Sequence, residues 1–473
     1  MSRTHGSQKS GADPTNIVWF RRDLRLTDNP AWAGAVLAGG PISALFVLDP
    51  VLVATAGDHR RRLLFAHLAE LDRTLRDRGG CLRVEHGDAT DVVPRGAAER
   101  GGATVYVNGD TTPFSRTRDN AVSAALREAG APNPVVTWGT LVHPPGTVLT
   151  KSGSVSLVFT PFHKAWEQRG WDAWPSVEPD ADVLLLADPG AGLPRLDGEP
   201  PEEPGERGAF ARLAEFDDHA NAYLDERDLP AVDGTTRLSA HLRFGTISPR
   251  RVAQEIGHRS AGRRGLVRQL AWRDWYAHLI AEHPHLRTRP LKPEVGEIDW
   301  VDDDDEFTAW TQGLTGYPIV DAGMRELAAT GRMHNRVRML CASFLVKDLL
   351  IDWRRGERWF RTLLVDGDVA QNVGNWQWAA GTGPDAAPYF RVFNPTLQSK
   401  KFDPAGEYIR RWVPELAGLD DEQIHEPSAA GPLGLAANGV VLGADYPEPI
   451  VDHHWARDRA LAAYAAARAD SGP

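Results

Sequence analysis

The chain has 473 residues, 42% of them hydrophobic and 25% charged, a composition typical of folded, water-soluble proteins. This length exceeds what one hydrophobic core usually supports and predicts two or three domains. The formal net charge of −11 excludes a generally basic nucleic-acid coat protein, although a local arginine cluster can still bind phosphate.

Several other classes are also disfavoured by the sequence. No apolar run has the length of a membrane span, and the polar N-terminus lacks a signal-peptide core, so we expect a flexible tail over residues 1–14 and a cytoplasmic protein without membrane contact. Cys81 and Cys341 are far apart, which indicates a reducing compartment and neither a zinc nor an iron–sulfur site. The scattered histidines show no metal-ligand spacing, so we expect no bound metal.

Residues 15–145 alternate short apolar runs with helical patterns, which predicts a Rossmann-like α/β domain with a parallel, five-stranded sheet. The clearest helical pattern lies at 59–78, where leucines recur at three- and four-residue steps. The expected strands are 17–20, 42–47, 82–84, 104–107 and 135–138. No dinucleotide or P-loop glycine motif occurs here.

The composition changes after this domain. Residues 146–206 accumulate Pro and Gly without sustained periodicity, which predicts a long linker over the surface. Residues 207–473 carry helical spacing almost throughout and predict an all-α domain. The expected helices include 209–226, 249–257, 264–282, 319–331 and 335–350.

One face of the predicted helix 264–282 combines an amide, an indole, a guanidinium and a phenol. These belong to Gln269, Trp272, Arg273 and Tyr276, at i, i+3, i+4 and i+7. A buried structural face favours Leu and Ile, so this face suits stacking on a base or flavin. The alternative is that each of the sixteen tryptophans simply fills a core.

Three further segments carry polar groups suited to a phosphate-containing ligand. The run 235–239 offers three hydroxyls and backbone N–H groups, which can hold a pyrophosphate, or alternatively only cap a helix. Asn335 and Arg338 lie one turn apart, while Arg336 points elsewhere. Asp366 can neutralise Arg338 beside a cofactor, or be an N-cap.

Longer motifs resemble the photolyase/cryptochrome family. They are WFRRDLR at 19–25, TGYPIVDA at 315–322, MHNRVRM at 333–339 and the segment 366–380. The chain is most similar to bacterial class I photolyases for cyclobutane pyrimidine dimers. The resemblance implies that reduced, light-excited FAD donates an electron to a pyrimidine dimer that is flipped out of ultraviolet-damaged DNA. The dimer then splits and the electron returns to the flavin, so the enzyme is a carbon–carbon lyase.

The resemblance also assigns roles to individual residues. It implies FAD binding by Tyr223, Thr235, Thr236, Arg237, Leu238, Ser239, Gln269, Arg273, Asn335, Arg338, Asp366, Gly367, Asp368 and Asn372, the last facing flavin N5. It implies an electron-transfer chain of Trp376, Trp353 and Trp300, and catalytic roles for Asn372 and Gln269. It implies DNA contacts by Arg227, Gln269, Trp272, Arg273, Asn335, Arg336, Trp378, Gln398 and Lys400.

The sequence also departs from the dimer-photolyase pattern. Gln269 stands where dimer photolyases carry Glu, and Gln at this position is found in (6-4) photolyases and cryptochromes. The pattern His334-Asn335-Arg336, in contrast, is that of the dimer enzymes. Leu266 and Arg332 replace aromatic residues of relatives. The alternatives to dimer repair are therefore (6-4) repair and a non-enzymatic blue-light receptor.

The resemblance further implies an antenna pigment in the N-terminal domain. Arg60 and Asp110 align with the pattern of relatives that bind 8-hydroxy-5-deazaflavin, and 5,10-methenyltetrahydrofolate is the alternative. We expect a monomer, because the sequence shows neither a coiled coil nor an exposed amphipathic stripe.

Overall fold

The computed structural model describes residues 15–178, 181–193, 195, 198–291, 298–385, 388 and 391–470. The expected tail 1–14 lies outside these residues, as do Tyr389 and Phe390. Among the residues described, no helix is long and apolar enough to cross a membrane.

The N-terminal part contains the expected five-stranded parallel sheet, in the order β3-β2-β1-β4-β5. The strands are β1 (Asn16–Phe20), β2 (Ile42–Leu48), β3 (Leu82–His86), β4 (Thr104–Asn108) and β5 (Val135–Thr137). The intervening helices are α1 (Pro30–Ala38), α2 (Pro50–Ala54), α3 (Asp58–Arg76), α4 (Ala89–Glu99) and α5 (Pro113–Glu128). Every residue of β1 is buried, because helices cover both faces of the sheet.

The segment 146–206 is more structured than its composition predicts. It contains α6 (Phe159–Gln168), whose Phe159, Phe162 and Trp166 are buried in the largest core together with helices of the C-terminal part. Further along, the backbone of Leu184 and Leu186 is hydrogen-bonded to Ile42 at the start of β2. The sequence did not predict these two contacts, because the segments that make them are short, lie among Pro and Gly residues and show no sustained periodicity.

The C-terminal part is helical, as expected. Its α-helices are α7 (Gly205–Phe216), α8 (Tyr223–Glu226), α9 (Ser239–Phe244), α10 (Pro249–Ile256), α11 (Ala261–Glu282), α12 (Asp304–Gln312), α13 (Pro318–Thr330), α14 (Asn335–Ser343), α15 (Trp353–Leu363), α16 (Val369–Ala380), α17 (Pro395–Phe402), α18 (Glu407–Trp412), α19 (Gly431–Ala436) and α20 (His453–Asp470). Together with α6, most of them share one large core.

Two helices are shorter than predicted. The expected helix 209–226 breaks after Phe216, because Gly262 of α11 packs directly on the Ala220 and Asn221 carbonyls. The expected helix 335–350 becomes a π-helix at Phe344–Asp348. There the buried Asp348 accepts a hydrogen bond from His453 of α20, at 2.5 Å, an interaction that no local pattern encodes.

Candidate active site

Helices α11 and α16 pack together and carry the two indoles expected to hold a lesion. Gly374 of α16 lies against the ring of Tyr276 on α11, where any Cβ atom would overlap the phenol. Trp272 on α11 and Trp378 on α16 are both half-buried at the edge of the core. The structure therefore places these two tryptophans on neighbouring helices.

Trp272 has an aromatic partner that sequence reasoning missed. The ring of Phe159 lies parallel to the indole, with 3.6 Å between ring centroids and 13° between planes. The backbone N–H of Phe159 donates to Asp385, in the loop that follows α16. Phe159 was overlooked because it lies in the segment interpreted as a linker.

The other members of the α11 face differ in their surroundings. Arg273 points inward and donates to the carbonyls of Thr140 at 2.5 Å and Leu242 at 3.0 Å. Burial lowers the pKa of Arg273, although Asp368 acts in the opposite direction. Gln269 is half-buried, and its Nε2 donates to the Gly265 carbonyl at 3.3 Å. The predicted face is thus only partly open to a ligand.

Asn372 on α16 is held by a residue that no motif assigned. Its Nδ2 donates to the Glu357 carbonyl at 2.9 Å and to the Glu357 carboxylate at 3.0 Å. That carboxylate also pairs with Arg361 at 3.0 Å. With Nδ2 occupied in this way, the carbonyl end of the amide is left to accept a hydrogen bond.

Asp366 joins two of the predicted cofactor segments. Its carboxylate pairs with both terminal nitrogens of Arg338, at 2.9 and 3.2 Å, and is hydrogen-bonded by Ser239. Burial acts to raise the pKa of Asp366, but Arg338 and Ser239 outweigh it and hold the pKa below its ordinary value. Asp366, Arg338 and Ser239 therefore form one charged cluster.

The loop that precedes α9 contains one residue with a left-handed backbone conformation. Arg237 adopts a left-handed backbone conformation with φ of 51°, and its side chain pairs with Asp233. Arg212 donates to the carbonyls of Thr235 and Thr236, so the loop is fixed from behind. Leu238 of this loop is buried, and Tyr223 lies buried beneath the Arg227 guanidinium.

Arg22 links the sheet to α16. Asp368 caps α16 by accepting from the Gln371 N–H at 3.1 Å, and its other oxygen pairs with Arg22. Arg22 follows β1 and also reaches Asp110, which follows β4. Burial acts to raise the pKa of Asp368 and Asp110, but Arg22 and the other nearby arginines together outweigh it and lower each pKa.

The two predicted antenna residues are engaged by protein groups. Asp110 accepts from Arg22 and from Ser115 at 3.1 Å. Arg60 is buried and donates to the carbonyls of Thr55 and Arg361. Burial, together with the nearby Arg361, lowers the pKa of Arg60 to about 10. Gly367 leaves room for the Arg60 guanidinium, since a Cβ atom at position 367 would overlap that group.

The predicted DNA-contact residues are not equally available. Asn335 is exposed, and Gln398 is partly exposed. Lys400 pairs with the exposed Glu422 at 3.1 Å, a pair that DNA can displace at little cost. Arg336, in contrast, pairs with Asp228 at 2.8 Å and lies over the ring of Phe402.

The three tryptophans of the predicted electron-transfer chain run from the interior towards the surface. Trp376 and Trp353 are buried, whereas Trp300 is half-buried and meets Tyr464 edge-on. A Cβ at Gly356 of α15 would overlap the Trp376 indole, so this glycine permits the close approach of α15 and α16.

A separate cluster of possible metal ligands lies between α3 and α9. One ligand atom each from His67, Glu202 and His241 lies within 4.8 Å of the others. However, Nδ1 of His67 accepts a hydrogen bond from the Gly205 N–H, so the neutral ring carries its proton on Nε2 and cannot donate a lone pair from that atom. The expectation of no bound metal stays a prediction.

Comparison with known proteins connects both regions to one family. A family model described as DNA photolyase matches residues 16–180, and one described as FAD binding domain of DNA photolyase matches residues 266–466. The chain is 42% identical to a deoxyribodipyrimidine photo-lyase from Agrobacterium fabrum, over 96% of this chain and 98% of the relative.

Solved structures agree with this similarity. A class III photolyase from Agrobacterium tumefaciens superposes with a TM-score of 0.87 and 40% identity, covering 98% of this chain and all of the other. A cryptochrome from Synechocystis superposes with a TM-score of 0.84 and 30% identity, covering 96% of this chain and 99% of the other.

Proposed function

The chain belongs to the DNA photolyase family, and we propose that it uses blue light to split cyclobutane pyrimidine dimers in ultraviolet-damaged DNA. The observation that carries this function is the similarity to a deoxyribodipyrimidine photo-lyase, which extends across the sheet and the helical region together. The Trp272 and Trp378 pair, on packed helices at the edge of the core, supplies the stacking surfaces that an extruded lesion needs.

FAD is the cofactor of this site, in agreement with the family model that matches residues 266–466. The residues present fit such a ligand. The left-handed Arg237 and the exposed Ser239 belong to a loop suited to phosphates, while Arg338 and Asp366 offer a paired cation and anion. We propose that this loop, with Tyr223, Asn335, Arg338, Asp366, Asp368 and Asn372, holds FAD.

When bound, reduced and excited by light, FAD supplies the electron for dimer splitting. The protein's own residues position the partners. Asn372 is fixed by Glu357 with its carbonyl available as an acceptor. Trp272 and Trp378 stack on the lesion and exclude water, and the Gln269 amide can donate to or accept from the bases but has no proton to transfer. Trp376, Trp353 and Trp300 carry electrons towards FAD when it needs to be reduced.

Substrate entry depends on an exposed rim beside these helices. Asn335 and Gln398 are accessible, and Lys400 can exchange its exposed partner Glu422 for a DNA phosphate. Arg227 lies over Tyr223 and completes the rim. Arg336 and Arg273 are expected to act more indirectly, because their guanidinium groups are committed to Asp228 and to backbone carbonyls. No partner other than DNA is needed, and we expect a monomer.

The class within the family is a narrower proposal. The resemblance of the sequence was to class I enzymes, whereas a class III enzyme is among the solved relatives. The proposed reaction does not depend on this assignment, because it is argued from the relatives named deoxyribodipyrimidine photo-lyase.

We further propose that residues 15–145 form the antenna domain, 146–206 the linker and 207–473 the catalytic domain. Asp110 and Arg22 follow β4 and β1, at the carboxyl ends of parallel strands where such sheets bind ligands. This placement supports a deazaflavin antenna near Asp110 and Arg60, with the folate as alternative. The absorption spectrum of the pigment released by denaturation distinguishes the two.

A repair assay tests the proposed function directly. Reduced protein is mixed with an oligonucleotide containing one thymine dimer, and recovery of thymine absorbance near 260 nm is followed under blue light and in the dark. We expect recovery in the light only. Repair of a second oligonucleotide that contains a (6-4) lesion, without repair of the dimer, would instead identify a (6-4) photolyase. Repair of neither lesion eliminates a repair function and leaves the blue-light receptor as the alternative.

A further inference from the structure

Arg268 and Phe159 extend the stacking surface of Trp272 towards the solvent. Arg268 precedes Trp272 by one turn of α11, so both side chains leave the same side of the helix. The guanidinium carbon of Arg268 lies 5.3 Å from the centre of the Phe159 ring, which is itself parallel to the Trp272 indole. The arginine is thus held beside the pocket by a cation–π contact.

The charge of Arg268 is available to an external anion. Arg268 is exposed, and in the described part of the chain it forms no ion pair. Other arginines near the pocket are neutralised: Arg263 pairs with Asp217, and Arg338 pairs with Asp366. His163 is a titratable group close enough to Arg268 to interact with its charge. Burial is the main cause that lowers the pKa of His163, so its ring is neutral at neutral pH and does not compete with Arg268 for an anion.

An exposed arginine on a helix is most often only solvated. Here, however, the guanidinium rests on an aromatic ring that is buried and fixed by Asp385, so its position is restricted before any ligand binds. A guanidinium held over a ring by a cation–π contact can still use its N–H groups for bidentate binding of phosphate.

We propose that Arg268 binds a backbone phosphate of the damaged strand beside the flipped dimer, and that Phe159 positions both Arg268 and Trp272 for this contact. The proposal rests on the proposed function, because it presupposes that a dimer stacks on Trp272. It adds one charge-neutralising contact to the DNA rim, at a position where no motif predicted one.

Salt dependence of binding tests the contact. Dissociation constants of wild type and Arg268→Gln for a dimer-containing duplex are measured by fluorescence anisotropy between 50 and 300 mM NaCl. Loss of one phosphate contact makes the slope of log K against log salt shallower by about 0.9. Arg268→Lys should keep the wild-type slope, and the exposed Arg95→Gln on α4 serves as the matched control. An unchanged slope in Arg268→Gln overturns the proposal.

Phe159→Leu tests the positioning role, since leucine keeps apolar bulk but offers no ring face. We expect Phe159→Leu to weaken binding several-fold and to make a further Arg268→Gln change nearly silent, because the two act through one contact. Fully additive effects of the two substitutions contradict the role of Phe159. Near-ultraviolet circular dichroism shows whether each variant is folded. If wild type shows no preference for the dimer-containing duplex, the proposed function fails instead.

Discussion

Gln269 is the residue that most directly affects lesion choice. Its side chain is partly exposed, and within the described part of the chain its one hydrogen bond goes to the carbonyl one turn earlier, at 3.3 Å, a weak bond that a lesion can replace. We expect Gln269→Glu to keep or increase the rate of dimer repair, because a carboxyl group can both accept hydrogen bonds and share a proton with the bases. Repair of defined dimer and (6-4) oligonucleotides measures this. A gain restricted to the (6-4) lesion contradicts dimer specificity.

Glu357 fixes the orientation of the Asn372 amide, and its removal should be costly. In Glu357→Leu the buried Asn372 Nδ2 group keeps its bond to the backbone carbonyl but loses the carboxylate, and the partly exposed Arg361 guanidinium loses its ion-pair partner. Leaving a buried donor unpaired costs about 1–3 kcal/mol, so urea denaturation should show a loss of at least this size. Glu357→Gln retains an acceptor for Asn372 and should lose less. Equal losses in the two variants contradict a specific role for this hydrogen bond.

Trp376 is buried and forms the inner end of the proposed electron-transfer chain. Trp376→Phe replaces an oxidisable indole by a ring that is much harder to oxidise. We expect flavin photoreduction to be lost, while repair by chemically reduced protein stays close to wild type. Absorbance of the oxidised flavin during illumination reports the first effect, and the repair assay reports the second. Loss of repair in chemically reduced protein indicates that Trp376 has another function.

At the scale of elements, the packing of α15 on α16 depends on one glycine. A methyl group at Gly356 would overlap both the Trp376 indole and the Leu345 side chain, so Gly356→Ala must separate the helices. Overpacking of this kind costs about 1–3 kcal/mol, and flavin photoreduction should slow as Trp376 moves. Urea denaturation and photoreduction rates measure the two effects.

Gly96 of α4 offers the matched control for this change. It is also a helical glycine, but a Cβ there would meet only Ile17, at 4.0 Å. Gly96→Ala should therefore be neutral or raise the free energy of unfolding by up to about 1 kcal/mol, the usual gain in helix propensity. If Gly356→Ala changes the free energy of unfolding no more than Gly96→Ala does, the overlap with Trp376 has no cost, and the prediction is wrong.

Elements with strong periodicity were predictable from the sequence, and those defined by tertiary contacts were not. The five strands lie within about two residues of their expected ends, because each is an apolar run bounded by turn residues. Helix α6 was missed, since its Phe159, Phe162 and Trp166 occupy one short stretch amid Pro and Gly. The π-helix after Ser343 was missed, and the contact of its Asp348 with His453, more than a hundred residues away, has no signal in local spacing.

The site shows the same division. Motif resemblance singled out Asn372, Asp366 and Trp272 as predicted site residues, but their contacts with Glu357, Ser239 and Phe159 are visible only in the folded chain. Ser239 was expected beside a phosphate, and it bonds Asp366 as well. Arg22 lay inside a recognised motif, yet its ion pair with Asp368 spans 346 residues and has no signal in local spacing.

At the scale of the whole molecule, α3 of the sheet region and α9 of the helical region meet at a buried pair of histidines. His67 and His241 lie with 5.6 Å between ring centroids, and Glu202, paired with Arg332, completes the cluster. Burial and Arg332 lower the pKa of His241 to about 4, and burial and His241 lower that of His67 well below its ordinary value. Both rings are therefore neutral in the folded protein at pH 7.

This junction should weaken in mild acid. Below pH 6.5 the unfolded chain binds a proton at His241 while the folded chain does not, so the free energy of unfolding falls as the pH drops from 6.5 towards 4. One such histidine lowers the free energy of unfolding by about 3 kcal/mol once the pH approaches the pKa of His241 in the folded protein. Glu202 acts in the opposite direction, because burial raises its pKa. His241→Gln removes the titration but keeps a polar group for Thr246, which lies 2.8 Å from Nδ1.

We therefore expect His241→Gln to be less stable than wild type at pH 7.5, where the native ring packs and bonds without penalty, and to lose less stability on acidification. Urea denaturation at pH 7.5, 6.0 and 5.0 measures the difference in free energy of unfolding between the two proteins. Carboxylates contribute little to this difference, because both proteins contain them. A difference that stays constant across this range shows that His241 takes up its proton in the folded state. The contact between α3 and α9 would then accommodate a protonated His241, although burial of this ring disfavours the charged form.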